Sequence, residues 1–334
     1  MATESKVKTI GILTSGGDAP GMNACIRSVV RYALNNGIKV KGIQKGYNGL
    51  LNDEVFDMTE KSVSNIIHRG GTVLYTARCA EFLQEVYQQK AADICRKHGI
   101  EGLVVIGGDG SFRGARDLSR FGINVVGVPG TIDLDIACTD YTIGFDTAAN
   151  VVLDSIRRLR DTSASHERVS VIEVMGRHCG ELALWAGITG GAEIILVPEE
   201  PKTAKFENIL ETIRQNREQG KDHNIIVVAE GIVADGILPS SENLALRIEK
   251  ETGIESRATI LGYVQRGGAP TAVDIKHATM MGAKAVELLM SGANNRVVAF
   301  KNNQYKDFDF SEALAMKRKF SRALLQANDL ISNY

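Results

Sequence analysis

Three glycine-rich segments carry the side chains that could do chemistry in this chain. In Thr14–Asn23 (TSGGDAPGMN) the glycines let backbone N–H groups approach an anion, and the amino end of a following helix would favour negative charge. Ile106–Ser111 (IGGDGS) adds Asp109, a carboxylate of the kind that Mg²⁺ takes together with phosphate oxygens. Pro129–Asp135 (PGTIDLD) has two carboxylates, one to accept a hydroxyl proton and one to support a metal. This set predicts nucleotide-dependent phosphoryl transfer.

Each segment taken alone has a plainer interpretation. The first could be a strand-to-helix turn chosen for packing, and the third a solvated turn. The GGDG of the second also occurs in dinucleotide and lipid kinases. The sequence contains no GxxxxGK[ST], which excludes an ordinary P-loop.

Arginines form the second group of candidates. Guanidinium groups bind phosphate through two hydrogen bonds at once, and several arginines here stand beside glycine-rich turns, in MGR and in QRGG. They favour a site that holds two phosphorylated molecules. The candidates are Arg78, Arg168, Arg177, Arg257 and Arg266.

Short, continuous, β-branched apolar runs precede these turns, and helical patterns follow them. The alternation predicts an α/β fold with parallel strands, whose carboxyl ends form the ligand-binding edge. The expected strands are Lys8–Thr14, Gly102–Ile106, Asn124–Val128, Val169–Val174, Glu193–Val197 and Asn224–Ala229. They fall into two groups separated by a helical pattern at Thr147–Leu159, so we expect two sheet domains facing each other across a cleft.

Bulk properties narrow the function further. The chain has 334 residues with 39 basic and 40 acidic side chains, and a net charge of −1 gives no field that would attract nucleic acid or an anionic membrane. The five cysteines are far apart and form no CxxC pair, as expected of thiols in a reducing cytosol. No signal peptide or stretch of spanning length is evident, so we expect a cytoplasmic protein.

The motifs TSGGDAPGMN, GGDGS, PGTID, TDYTIGFDTA, EVMGR, AEG and QRGG, in this order over nearly the whole chain, resemble those of bacterial ATP-dependent 6-phosphofructokinases. The resemblance implies two Rossmann-like three-layer α/β/α domains with mainly parallel sheets, and an active site in the cleft between them. It implies a larger ATP-binding domain at 1–140 plus about 255–305, and a smaller fructose-6-phosphate domain at about 141–254 plus 306–334. It also implies a cytoplasmic homotetramer that uses ATP and Mg²⁺ to phosphorylate the 1-hydroxyl of fructose 6-phosphate in glycolysis.

Roles follow from the same resemblance, residue by residue. Asp133 matches the base, Thr131 would hold the transferred phosphoryl group, and Arg78, Arg177 and Gly17 complete the catalytic set. The ATP site would comprise Gly17, Tyr47, Arg78, Cys79, Gly108, Asp109, Gly110 and Ser111. Mg²⁺ would be held by Asp109, with Asp135 acting through a water. The sugar-phosphate site would comprise Thr131, Ile132, Asp133, Arg168, Met175, Gly176, Arg177, Glu230, Arg257, Tyr263 and Arg266, with Arg168 and Arg257 supplied by a neighbouring subunit.

An effector site at another subunit interface is implied as well. Its residues would be Arg27, Arg31, Arg160, Gly191, Glu193, Lys221 and His223. Here the chain departs from the family pattern, because Glu60 replaces an expected arginine and Gln219 an expected lysine. We therefore expect weak regulation by ADP or phosphoenolpyruvate. Near the chemistry, Leu134 stands where asparagine is usual and Tyr263 where histidine is common.

Two alternatives share the motifs. Pyrophosphate-dependent phosphofructokinases tend to carry GGDDS and PKTID, whereas Gly110 and Gly130 here would leave room for the α-phosphate of ATP. A non-catalytic regulatory paralogue would have no reason to keep Asp109, Thr131 and Asp133 together. A lipid or dinucleotide kinase would explain neither PGTID nor QRGG.

Overall fold

The computed structural model describes residues 5–332, and by its internal contacts the chain divides into two compact units. The larger unit contains the chain up to Ile132 together with Ile136–Thr147 and Arg266–Arg318. The smaller unit contains Asp133–Asp135, Ala148–Gln265 and the segment from Lys319 onward. Each unit is built on one β-sheet.

The strands are short and mostly follow glycine or polar turns. In chain order they are β1 Thr9–Ser15, β2 Lys39–Ile43, β3 Val55–Met58, β4 Gly102–Gly107, β5 Asn124–Pro129, β6 Val169–Val174, β7 Ile194–Leu196, β8 Asn224–Ala229, β9 Ser256–Ile260, β10 Arg296–Lys301 and β11 Gln304–Asp309.

The helices lie mainly in the connections between strands. They are α1 Met22–Asn35, α2 Gly46–Leu51, α3 Glu85–Lys97, α4 Asp109–Ser119, α5 Phe145–His166, α6 Glu181–Gly190, α7 Phe206–Glu218, α8 Glu230–Ala234, α9 Ser241–Thr252, α10 Ala272–Met290, α11 Phe310–Ala315 and α12 Arg322–Ser332. Four short 3-10 helices add to these: Glu60–Val63, Glu81–Leu83, Pro201–Ala204 and Gly262–Arg266.

The larger unit has a seven-stranded sheet in the order β11-β10-β5-β4-β1-β2-β3. Its inner strands are parallel, and the antiparallel pairs β2–β3 and β10–β11 form the two edges. Every residue of β4 is buried, as expected for a central strand covered on both faces. On one face, Leu103 and Val105 of β4 pack with Phe112 of α4 and Phe310 of α11.

The smaller unit has a four-stranded, wholly parallel sheet in the order β7-β8-β6-β9. Val171 of β6 and Ile226 of β8 share a core with Ile213 of α7 and Ile248 of α9. The predicted α/β fold with mainly parallel sheets is confirmed, and the predicted bounds of β6 and β8 match those of the structure.

The unit boundaries differ from the predicted ones in two places. Strand β9 pairs with β6, which puts residues 256–265 in the smaller unit although they were expected in the larger one. Strand β11 pairs with β10, which keeps residues 306–318 in the larger unit. In both places the hydrogen bonds between strands determine which unit the segment belongs to. The local sequence could not show this, because it does not reveal which strand pairs with which.

Candidate active site

The three glycine-rich turns lie side by side in the larger unit. Strands β1, β4 and β5 are neighbours, and their last residues are in register: Ser15 with Gly107, and Gly107 with Pro129. Beyond the strands, the Gly130 N–H donates to the Gly107 carbonyl at 3.0 Å. The turns therefore leave the same edge of the sheet at the same level, as the sequence predicted.

The first turn uses its glycines for backbone geometry and for a close contact. Gly16 has φ 88° and Gly21 has φ 102°, a region that residues with a Cβ rarely adopt. A Cβ on Gly17 would lie 2.6 Å from Nη1 of Arg266, which donates to the Asp18 carbonyl at 3.0 Å. Arg266, predicted for the sugar phosphate, thus packs against the first turn.

The second turn is tied to the first by Ser111. Its hydroxyl donates to the Ser15 carbonyl at 3.0 Å, and its own carbonyl accepts the Tyr47 hydroxyl at 2.7 Å. The Tyr47 ring is buried and stacks on Phe82 with 4.1 Å between ring centroids. Both predicted nucleotide residues therefore help to build the turn, and any contact of theirs with a nucleotide stays a prediction.

Two glycines on these turns differ in what surrounds them. A Cβ on Gly110 would meet no atom within 4 Å, so this position faces open space. A Cβ on Gly130 would lie 2.9 Å from Cγ2 of Ile106. Packing against Ile106 therefore explains why position 130 is a glycine. Of the two glycines, Gly110 is the one at which a missing side chain could leave room for a ligand.

Asp109 is the first residue of α4 and its carboxylate is accessible, with 42% of the side chain exposed. Arg113 one turn later binds it, with Nε 2.8 Å from Oδ2. Exposed pairs of this kind contribute about 0–1 kcal/mol, so a cation can displace Arg113. Residues 5–332 contain no cluster of three or more His, Cys, Asp or Glu side chains that could hold a metal ion by themselves.

The third turn passes from the sheet edge into buried surroundings. Thr131 is 7% exposed, Ile132 is fully buried and Asp133 is 4% exposed. Leu134, the unusual residue of the motif, has φ 54° and is 2% exposed. Asparagine, the residue that the resemblance led us to expect here, tolerates this left-handed backbone better than leucine does.

A loop before the second turn is fastened to the first turn by hydroxyl groups that the sequence analysis did not single out. The Thr14 hydroxyl donates to the Tyr75 carbonyl at 2.8 Å, and the Thr76 hydroxyl donates to the Gly16 carbonyl at 2.7 Å. The same loop carries Arg78, which is exposed, and Cys79, which is partly exposed. In the sequence, the threonine hydroxyl groups of the segment GTVLYTARC could have indicated that this loop is attached to the first turn.

In the smaller unit, the predicted residues Met175, Gly176 and Arg177 form a loop after β6. Gly176 has φ 139° and Arg177 has φ 54°. Glu230, at the carboxyl end of β8, accepts the N–H groups of both residues on Oε1, at 3.1 and 2.7 Å. The structure thus brings Glu230 and the loop together and leaves the Arg177 side chain exposed, while their contact with a sugar phosphate stays a prediction.

The arginines predicted for a neighbouring subunit share one acidic partner. Nη1 of Arg168 lies 3.7 Å from Oε1 of Glu255, and Nη2 of Arg257 lies 3.1 Å from the same atom. Arg257 also pairs with Glu249 at 2.9 Å. Tyr263, on the next segment, is 83% exposed.

Comparisons with known proteins add to this geometry. The sequence profile of the family described as phosphofructokinase matches residues 9–289. The chain belongs to the phosphofructokinase family. It is 57% identical to ATP-dependent 6-phosphofructokinase 1 of Clostridium perfringens and 55% identical to ATP-dependent 6-phosphofructokinase of Clostridium acetobutylicum, each over 326 residues, 98% of this chain and 100% of the relative. A solved phosphofructokinase from Saccharomyces cerevisiae aligns with TM-score 0.86 and 33% identity, over 97% of this chain and 48% of the yeast chain.

The smaller unit brings its predicted effector residues together around a cavity of about 520 Å³: Arg160, Gly191, Glu193, Lys221 and the adjoining His223. Glu193 is 1% exposed, and its Oε1 lies 2.8 Å from Nζ of Lys221 and 3.5 Å from Nη1 of Arg160. Burial lowers the pKa of His223; the Glu193 carboxylate opposes this shift, and the cationic neighbours Arg160 and Lys221 add to it.

The carboxyl-terminal helix also reaches this cavity, which the sequence did not indicate. Ile331 and Ser332 of α12 line it, and Nζ of Lys221 donates to the Ser332 carbonyl at 3.0 Å. Residues 221 and 332 are far apart in the chain, so no local pattern could have suggested the contact.

The other predicted effector residues belong to the larger unit. Arg27 and Arg31 are half-buried on α1, and the 3-10 helix Glu60–Val63 packs against α1. Glu60, the unexpected acidic residue, is exposed on that 3-10 helix. Between residues 5 and 332, no helix is long and apolar enough to cross a membrane.

Proposed function

We propose that this protein is an ATP-dependent 6-phosphofructokinase that transfers the γ-phosphoryl group of ATP to the 1-hydroxyl of fructose 6-phosphate. The proposal rests on the observation that the strands β1, β4 and β5 end in register, so that the three glycine-rich turns leave the same edge of the sheet side by side. Phosphoryl transfer is catalysed mainly by positioning and by charge stabilisation, and adjacent glycine turns with a carboxylate provide both. The curated Clostridium relatives, which align over their full length, carry the same activity in their names.

Asp133 would accept the proton of the 1-hydroxyl as its oxygen attacks phosphorus. Asp133 is 4% exposed in the loop after β5, and burial restricts the side chain, as a base needs if it is to stay within hydrogen-bond reach of the hydroxyl. Thr131, two residues earlier, would donate to the transferred phosphoryl group. Arg78 and Arg177, both exposed, would neutralise the charge that develops on it.

The remaining predicted residues would bind the two substrates. Gly17, Gly108, Gly110 and the loop with Cys79 would surround the nucleotide. Asp109 would hold Mg²⁺ with the nucleotide phosphates, and Asp135 would contribute through a water. When bound, Mg²⁺ would offset phosphate charge. Met175, Arg177, Glu230, Tyr263 and Arg266 would bind fructose 6-phosphate.

We further propose that the active protein is a cytoplasmic homotetramer in which Arg168 and Arg257 reach a neighbour's sugar phosphate. Support comes from their common partner Glu255, since a phosphate could replace this half-exposed carboxylate without burying a new charge. The wide spacing of the five cysteines and the lack of a CxxC pair support a reducing compartment.

The decisive experiment is a coupled assay of fructose 6-phosphate phosphorylation with ATP or pyrophosphate as donor. We expect turnover with MgATP and little with pyrophosphate, because Gly110 leaves the space that an acidic side chain would occupy. Faster turnover with pyrophosphate would instead identify a pyrophosphate-dependent enzyme. No turnover with either donor, despite fructose 6-phosphate binding, would indicate a regulatory paralogue.

A further inference from the structure

Gln265 is a buried glutamine that joins two segments of the smaller unit. Its side chain is fully buried. Oε1 accepts the N–H of Met175 at 3.1 Å, and Nε2 donates to the carbonyl of Gly262 at 2.9 Å. Both ends of the amide are used, so its orientation is fixed, and each backbone partner would be left unsatisfied without it.

The first segment that Gln265 holds is the loop Met175–Arg177. Arg177 has φ 54° and Gly176 has φ 139°, conformations that are sparsely populated for a residue with a side chain or are specific to glycine. Such a backbone persists only when surrounding groups determine it. Here Glu230 holds Gly176 and Arg177, while Gln265 holds Met175.

The second segment is the 3-10 helix Gly262–Arg266. Gly262 opens it with φ 55°, and its carbonyl, which accepts from Gln265, immediately precedes Tyr263. Tyr263 is 83% exposed, so its ring is available to a ligand while its backbone is fixed from below. The backbone N–H of Leu261 also donates to the Glu173 carbonyl at 3.1 Å, and beyond this last strand contact Gln265 links the backbone at Met175 to the backbone at Gly262, next to Tyr263.

We propose that Gln265 is a positioning residue that holds these two segments at the spacing required to bind the sugar phosphate. The proposal rests on the proposed function, which assigns Met175, Arg177 and Tyr263 to fructose 6-phosphate. Gln265 does not touch the substrate, because it is fully buried. It acts through the two segments.

The first test is Gln265→Met, which keeps the length of the side chain and removes both hydrogen bonds. We expect the KM for fructose 6-phosphate to rise about tenfold, equivalent to about 1.4 kcal/mol, and the KM for ATP to change less than about twofold. Binding of fructose 6-phosphate without ATP, measured by calorimetry, should weaken by the same factor.

A matched control is Gln88→Met in the larger unit. Gln88 is also buried, and its Nε2 donates to the Phe82 carbonyl at 2.9 Å. This variant should lose thermal stability without changing the KM for fructose 6-phosphate. If Gln265→Met behaves in the same way, Gln265 is only structural and the proposal is wrong, while the proposed function stands.

The Gln265→Glu protein provides a second test that does not depend on the Met variant folding. A protonated carboxyl can accept from Met175 and donate to Gly262, whereas an ionised one cannot donate. The KM for fructose 6-phosphate should therefore be near that of the unmodified protein at low pH and rise with pH more steeply. A pH profile parallel to that of the unmodified protein would overturn the proposal. If the unmodified protein neither binds nor phosphorylates fructose 6-phosphate, the proposed function fails and this proposal falls with it.

Discussion

Leu134 separates the two carboxylates of the third turn, and its backbone conformation was not evident from the sequence. The φ of 54° places a branched, apolar residue in the left-handed region, which costs about 1–2 kcal/mol. Burial of a leucine side chain offsets about the same amount, and this side chain is 2% exposed. The departure from asparagine therefore preserves the turn while removing an amide next to Asp133.

Replacing Asp133 tests the proposed base. In Asp133→Ser we expect kcat to fall by about 10²–10⁴-fold, the usual contribution of general-base catalysis, because serine cannot accept the hydroxyl proton at neutral pH. The dissociation constants of both substrates should change little. Asp133→Asn, which keeps the shape of the side chain, should show the same loss. A decrease in kcat of less than about tenfold in both variants would rule out Asp133 as the base.

Replacing Gly110 tests the position of the nucleotide. The site has open space for a Cβ, so Gly110→Asp should fold normally, and its carboxylate should repel the α-phosphate of ATP. We expect the KM for ATP to rise about tenfold or more, as for a loss of at least 1.4 kcal/mol, with the KM for fructose 6-phosphate unchanged.

Gly130→Ala is the matched control, because its Cβ would lie 2.9 Å from Ile106. It should lower the melting temperature and leave the KM for ATP largely unchanged. An unchanged affinity for ATP in Gly110→Asp would show that the second turn does not face the nucleotide.

At the scale of elements, the first turn of α5 depends on one buried carboxylate from α10. Asp274 accepts the Tyr141 hydroxyl at 2.5 Å, the Gly144 N–H at 2.6 Å and the Thr147 N–H at 2.8 Å, and the Thr147 hydroxyl also donates to it. Burial raises the pKa of Asp274, and these hydrogen bonds oppose the shift. Residues of the motif TDYTIGFDTA therefore donate hydrogen bonds to Asp274, which lies shortly after QRGG in the sequence.

Replacing Asp274 tests this cap. In Asp274→Asn, an NH₂ group faces at least one of the donors that the carboxylate accepted from. The buried polar groups left without a partner each cost about 1–3 kcal/mol of folding free energy. We expect the melting temperature to fall by roughly 5 °C. Asp154→Asn, which removes an exposed pair with Arg158 on the same helix, should change it by less than about 2 °C. Equal effects of the two substitutions would argue against the cap.

The sequence predicted the elements that carry the chemistry better than the edges of the sheets. β1, β4 and β5 were recognised because buried parallel strands are continuous apolar runs. β2 was not, because its lysines interrupt the pattern, and β3 has only four residues. The three turns could be placed together because parallel strands end at one edge. The contact of Arg266 with the first turn could not, since it joins residues 248 positions apart.

Charge in the predicted effector site would decide whether the proposed enzyme is regulated. Glu60 is exposed on the 3-10 helix packed against α1, which carries Arg27 and Arg31. Exchanging a cation for an anion near a phosphate changes the interaction by several kcal/mol at an effective dielectric of about 20, before screening. An effector shifts a conformational equilibrium only by its differential affinity for the two states, so weak binding means weak regulation.

We therefore expect millimolar phosphoenolpyruvate to leave the fructose 6-phosphate saturation curve of the unmodified protein nearly unchanged. In Glu60→Arg the same concentration should make the curve sigmoidal. Lys61→Gln is the control, because Lys61 could otherwise supply the missing cation. Strong inhibition of the unmodified protein that disappears in Lys61→Gln would show that Lys61 restores the site.

The five cysteines differ in exposure, so one of them could be labelled selectively. Cys25, Cys95, Cys138 and Cys179 are buried, and burial raises the pKa of Cys95 to about 12 and of Cys138 to about 11. Cys79, on the loop beside the first turn, is the partly exposed one, and its pKa is raised as well.

A maleimide fluorophore should therefore react with one thiol per chain, slowly at neutral pH and faster as the pH rises and the thiolate forms. MgATP should slow this labelling and fructose 6-phosphate should not, a difference measurable by intact-mass spectrometry. Labelling at two or more cysteines would contradict the burial of the other four thiols, and a lack of protection by MgATP would contradict the proposed nucleotide site. Single labelling would allow nucleotide occupancy to be followed by fluorescence without any engineered residue.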